Sequence, residues 1–394
     1  MPEPVMVLRS LKCPAYSFFL FGPRGIGKST WLKDVLKGAL LIDLLDASVY
    51  FELARDPHRL DAMACACADG SWIIIDEVQK VPALLDEVHR LMESKRIRFA
   101  LCGSSARKLK RGGADLPAGR ALTLNMEGLS AGELGAAFDP VQAMDWGTLP
   151  FVLHNRDRAA DILAAYFNTY LKEEIREEGL IRRVPPFVRF LNIAGQLNGQ
   201  MVNGSNIARE AGVARATIDT YFAILVDTLV GHFLPPWRPG MKVRESAHPK
   251  FYWFDPGVAR AAAGLLRDPV DRAWQGTALE TVVYHELRVY NETAGNHRPI
   301  RYYRTPAGVE IDFIIETAPR GTGRKPTVVA IEVKRADKWD RVWDKPLREL
   351  GGLPGIHPKR RIGVYMGPRT YNFDGIDVMP VGAFLKELHR GNIW

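Results

Sequence analysis

Short apolar runs separated by helical stretches alternate along the first third of the chain. The run Phe18-Phe19-Leu20-Phe21 passes directly into a glycine-rich segment. Others follow at residues 40–43, 72–77, 98–103 and 121–124. Apolar strands without polar alternation, spaced by helices, predict a parallel sheet covered on both faces. From about residue 150 the pattern turns helical, with a charged amphipathic stretch at 159–178 whose charges read as a solvated face. Residues 204–218 predict two short helices joined by a tight turn. Ala208 is small where the helices would cross, Gly212 can adopt the left-handed conformation of the turn, and Ile218 is an apolar anchor. Runs at 232–234 and 251–254 read as paired strands. A third unit opens near Gly276 with an amphipathic helix, followed by strands at 301–304, 309–315 and 328–334. The pattern divides the chain into residues 1–145, 146–265 and 266–394.

The glycine-rich segment is Gly22-Pro23-Arg24-Gly25-Ile26-Gly27-Lys28-Ser29-Thr30. Its spacing, G-x-x-x-x-G-K-S after a strand and before a helix, is that of a phosphate-binding loop. The glycines let backbone N–H groups point at the β- and γ-phosphates, Lys28 supplies a point charge, and Ser29 offers a hydroxyl to Mg²⁺. The next helix presents its positive N-terminus. The third apolar run ends in Asp76-Glu77. Asp76 can hold Mg²⁺ through its water shell, and Glu77 can polarise an attacking water, which favours ATP hydrolysis over passive binding. Ser104, directly after the fourth run, is placed either to sense a γ-phosphate or to cap a helix. Arg120 precedes the fifth run after a basic loop and could reach a neighbouring subunit's γ-phosphate, or lie on the surface.

The strings GPRGIGKST, IIIDEVQKVP, FALCGSSARKL and LPAGRALTL together resemble those of prokaryotic AAA-type ATPases with a DUF4143 C-terminal region, and the likeness extends over nearly the whole chain. It implies a further strand between the phosphate-loop strand and the Asp76-Glu77 strand. It also implies Ser104 as a sensor, Arg120 as an inter-subunit finger and a homo-oligomer, a hexameric ring being one such assembly.

Composition changes this picture modestly. The 394 residues carry a formal charge of +8 and are 47% hydrophobic and 25% charged, an ordinary globular balance. The positive excess suits an anionic partner but also serves solubility. No apolar run has the length of a membrane span, and the four cysteines form no C-x-x-C pair, so the expectation is a cytoplasmic protein with reduced thiols. In the middle region a helix-turn-helix followed by a basic hairpin reads as a winged helix. If it meets DNA, duplex or branched, Arg215 and Thr220 would face the groove. The hairpin's Arg238, Lys242, Arg244 and Lys250 would face phosphates. Asp219 on the same helix opposes tight insertion, and winged helices also dock proteins.

In the last region, period-two alternation puts Glu310 with Asp312, and Glu332 with Lys334, on common strand faces. With Glu280 on the preceding helix, the order resembles PD-(D/E)XK nucleases, in which carboxylates share Mg²⁺ beside a lysine. Ile311 stands before Asp312 where that family has proline. The fold class expected is therefore α/β: a P-loop NTPase of AAA type, a winged helix-turn-helix and a PD-(D/E)XK-like α/β domain. The function expected is Mg²⁺-dependent ATP hydrolysis coupled to moving or remodelling DNA. Two alternatives stay open: an ATP-licensed, metal-dependent DNA endonuclease, and a nucleotide-switched, non-catalytic regulator that docks protein partners.

Overall fold

The structure is a computed structural model, and it describes residues 7–104, 121–171, 184–238, 248–318, 326–352 and 356–394. Contacts divide the chain into two compact units. One comprises residues 9–128 with 223–230, and the other residues 1–8, 129–222 and 231–394.

The first unit is built on five parallel strands: β1 (Phe18–Phe21), β2 (Leu40–Asp43), β3 (Trp72–Asp76), β4 (Arg98–Gly103) and β5 (Leu122–Asn125). They lie in the order β2-β3-β4-β1-β5. β4 thus stands between β1, which feeds the glycine-rich loop, and β3, which ends at Asp76. The continuous apolar runs are explained by burial on both faces: Phe18, Leu20, Ile73, Ile75, Phe99 and Ala100 have no exposed surface.

The second unit holds two sheets. A small antiparallel one consists of β6 (Gln200–Met201), β7 (Gly231–Leu234) and β8 (Lys250–Trp253), with β8 in the centre. Helices Val184–Gln196, Gly204–Ala211 and, as far as Phe222, Arg215–Asp227 accompany it. The turn between the last two is made by Gly212 at φ +69°, where a side chain would strain the backbone, and Arg189 caps the preceding helix by donating to Ala211 O at 3.0 and 3.1 Å. Ile218 is wholly buried. Edge-to-face and tilted contacts among Phe187, Phe190, Tyr221, Phe222, Phe233 and Phe251 fill the space between these helices and the small sheet.

The larger sheet has six strands: β9 (Ile300–Arg304), β10 (Glu310–Glu316), β11 (Thr327–Lys334), β12 (His357–Tyr365), β13 (Tyr371–Phe373) and β14 (Ile376–Pro380). Their order is β13-β14-β12-β11-β10-β9, with β9, β10 and β11 antiparallel and β11, β12 and β14 parallel. Separate apolar clusters cover the sheet. One includes Leu279, Val283 and Leu287 of the helix Arg272–Thr293, and the other Leu347 and Leu350.

Candidate functional sites

In the first unit, β1 delivers the chain into a loop that closes on Lys28. Its ammonium donates to Gly22 O at 2.8 Å and Pro23 O at 2.9 Å, and the side chain is nearly buried. Gly22 is required by close approach: a Cβ there would lie 2.3 Å from Met126 O and 2.6 Å from Ile26 Cδ1. Gly27, at φ +93°, leaves the loop and starts the helix Lys28–Val35, so the loop's last peptides and the helix's free N–H groups follow one another. Ile26 is buried, Pro23 is buried, Ser29 is half-buried and Thr30 is exposed. Arg9 donates to Ile26 O at 2.8 Å and Glu127 O at 2.6 Å, and so latches the loop to the chain beyond β5.

The two carboxylates stand where β3 ends. Asp76 Oδ1 accepts the Glu77 N–H at 3.0 Å, and both side chains are nearly buried. Glu77 takes the left-handed conformation at φ +57°, which costs a residue with a side chain on the order of 1 kcal/mol. Its carboxylate accepts from Gln79 Nε2 and lies 4.0 Å from Arg24 Nε. The same Gln79 Nε2 donates to Ser104 Oγ at 3.3 Å, while Gln79 Oε1 is buried without a hydrogen-bond partner among the described residues. Gly103 makes room for this amide, since a Cβ there would lie 2.4 Å from Gln79 Oε1. Burial pushes the nearby Cys102 thiol well up, and Asp76 adds to the effect. Arg120 lies outside the described residues. Arg9 and Gln79 were not singled out from the sequence. Gln79 follows Glu77 by two residues, but only the fold reveals that its amide spans to Ser104.

In the second unit, Arg215 opens the second helix of the helix-turn-helix and Thr220 lies further along it. Arg215 pairs with Asp219 at 2.9 Å and lies across Gly204, and Thr220 Oγ1 donates to Ala216 O at 3.0 Å. The acidic neighbour is therefore the arginine's own partner. Lys242 and Arg244 lie outside the described residues.

The expectation that Lys250 faces phosphates is corrected by its position. It is only 4% exposed, and its ammonium lies 2.5 Å from Glu310 Oε1, 3.8 Å from Glu280 Oε2 and 3.8 Å from Asp312 Oδ1. Lys250 and Tyr252, two residues apart on β8, share one face of the strand, and both side chains meet Glu280, so this face looks onto carboxylates and not onto a phosphate backbone.

Around that ammonium the sequence-derived set comes together. Pairing of β10 with β11 stops at Phe313–Ile331, and Asp312 Oδ2 takes the Val333 N–H at 2.8 Å. The β9–β10 register shifts between Ile311 and Ile314, so the strand is irregular at Asp312. Glu280 accepts from the buried Tyr252 hydroxyl at 2.9 Å; burial, with Asp312 nearby, raises its pKa to about 7. Glu332 Oε1 meets Lys334 Nζ at 2.5 Å, while Glu332 Oε2 is buried without a hydrogen-bond partner among the described residues. Burial, then Asp312, holds the Glu332 carboxyl well above the usual range. Arg304 donates to Glu310 Oε2 at 3.0 Å. Among the described residues no group of three His, Cys, Asp or Glu side chains is arranged to hold a metal ion.

These two sites fall in regions with known counterparts. Residues 15–135 match the model of a family described as AAA domain, and residues 275–384 that of DUF4143, a domain of unknown function. Residues 139–268 match a further domain of unknown function, DUF8612. The chain thus carries an AAA-type ATPase domain and a DUF4143 domain. No curated protein matches it. Among solved structures, the Orc1 protein of Aeropyrum pernix in complex with DNA is similar at 12% identity, over 68% of this chain and 87% of that one, with a TM-score of 0.30. So slight a likeness bears no weight here. All four cysteines are free, and no described helix is long and apolar enough to cross a membrane.

Proposed function

We propose that the chain hydrolyses ATP with Mg²⁺ at the loop of the first unit and uses the turnover to move or remodel DNA. The observation that carries this is the pairing of a closed phosphate loop with Asp76 and Glu77 at the end of β3, one strand removed from β1. The donor set suits the metal: the Ser29 hydroxyl and the Asp76 carboxylate are hard oxygen ligands, and Mg²⁺ bound with nucleotide would neutralise phosphate charge. Lys28 exchanges two neutral carbonyls for phosphate oxygens when nucleotide enters. Glu77 orients and polarises the attacking water, and its hold by Gln79 and Arg24 fixes where that carboxylate points. Ser104 shares Gln79 with Glu77, which suits a sensor of the γ-phosphate. Arg120 acts as a finger between subunits of a homo-oligomer.

The DNA object rests on the charge of +8, on a three-helix segment with its small sheet in winged-helix order, and on Arg215 at the start of the second helix of the turn. Its internal pairing with Asp219 favours backbone positioning over base reading. The test is ATP turnover measured with duplex, branched and single-stranded DNA at low salt. Stimulation by at least one of them is expected. Turnover indifferent to every DNA, from a protein that also binds none, would remove DNA and leave the protein-docking regulator.

A further inference from the structure

The metal that a PD-(D/E)XK-like site implies does not fit the residues present. Its ligands would be Glu280, Asp312 and Glu332, yet an ammonium already stands 3.8 Å from Glu280 and 3.8 Å from Asp312. Like charges brought together repel more strongly as the surroundings become less polar, and Lys250 is 4% exposed. The ammonium is also held by Glu310, whose Oε1 lies 2.5 Å away, so three carboxyl groups already surround it.

Nor is the lysine there by a chance rotamer. Its Cα is fixed in register with Met201 on β6 and Leu234 on β7, and its ammonium lies 5.6 Å from the centre of the buried Tyr302 ring. Tyr252, two residues along β8, donates its hydroxyl to Glu280. One strand therefore contributes both a cation and a hydrogen-bond donor to the carboxylates of the larger sheet and its helix. Four carboxyl groups, those of Glu280, Glu310, Asp312 and Glu332, are met by Lys250, Lys334 and Arg304. The cluster thus carries its own counter-charge without any added ion.

We propose that Lys250 is the resident cation of this cluster, an internal ammonium standing where a divalent metal would, so that the DUF4143 domain works as a metal-independent module fastened to the small sheet and not as a nuclease. The inference does not depend on the ATPase reading, because every group in it belongs to the second unit.

The test uses the full chain without nucleotide and titrates Mn²⁺, reading the free ion by electron paramagnetic resonance. The wild type is expected to show no bound Mn²⁺ that the Asp312→Asn variant loses. Lys250→Met, with a side chain of similar length and no charge, is expected to gain a Mn²⁺ site that Asp312→Asn in the same chain removes. Wild-type binding abolished by Asp312→Asn overturns the proposal, and so does a folded Lys250→Met that gains no site. If Lys250→Met does not fold, the wild type and Asp312→Asn decide the matter with supercoiled DNA in Mn²⁺. Equal absence of nicking supports the resident cation, and nicking that depends on Asp312 refutes it.

Discussion

Two nearly buried lysines mark the two sites, and they differ in what they hold. Lys28 donates to the carbonyls of Gly22 and Pro23, both neutral, while Asp76 and Glu77 are satisfied by a backbone N–H and by Gln79. Lys250 sits directly among Glu280, Glu310 and Asp312. A cation resting on carbonyls can be taken over by an incoming phosphate at little electrostatic loss. A cation enclosed by carboxylates is already neutralised, and extracting it leaves buried charges facing one another. The same residue types thus make one site ready for an anionic ligand and the other already supplied with its cation.

That contrast orders the expected effects. Lys28→Ala should abolish ATP turnover, and unchanged hydrolysis in that variant would sink the assignment of the loop. Glu77→Gln should keep ATP binding yet slow hydrolysis by roughly 10²- to 10⁴-fold, the usual range for a positioned general base; ATP affinity measured by calorimetry beside single-turnover rates separates the two steps. Lys250→Met should leave ATP affinity alone and cost the folded protein about 3–5 kcal/mol in urea denaturation, the scale of a broken buried pair. A loss near zero would mean that the cluster does not need its ammonium.

The smallest effect concerns pH. Glu280 has a pKa of about 7 in the folded chain against an ordinary 4.5, so the folded state binds the extra proton between those values. The stability linked to it is present below about 4.5 and is lost as pH rises towards 7. Glu280→Gln removes that loss. Its melting temperature should therefore gain on the wild type as pH goes from 5 to 8, and parallel curves would show that the carboxyl does not titrate in this window.

What could be read from the sequence follows the range of the interactions. The phosphate loop and its strand were legible because every group lies within thirteen consecutive residues. The placement of β4 between β1 and β3 followed from the family resemblance, and the strand order bears it out. Period-two spacing put Glu310 with Asp312 and Glu332 with Lys334, and all four lie in the cluster around Asp312. Lys250 was misread because its partners come 30 to 62 residues later on a helix and a second sheet. A basic residue beside a hairpin looks like a phosphate contact until the carboxylates packed against its face of the strand are known. Arg9 was equally hidden, since its acceptors follow it by 17 and 118 residues in sequence.

The most direct test of the contrast between the lysines is the number of Mn²⁺ ions bound per chain, counted with and without ATP in the hydrolysis-blocked Glu77→Gln protein. About one ion is expected with ATP, lost on Lys28→Ala, and none without nucleotide. An ion bound in the absence of ATP and released by Asp312→Asn would contradict the account, because the second lysine would then have left its carboxylates free to hold metal.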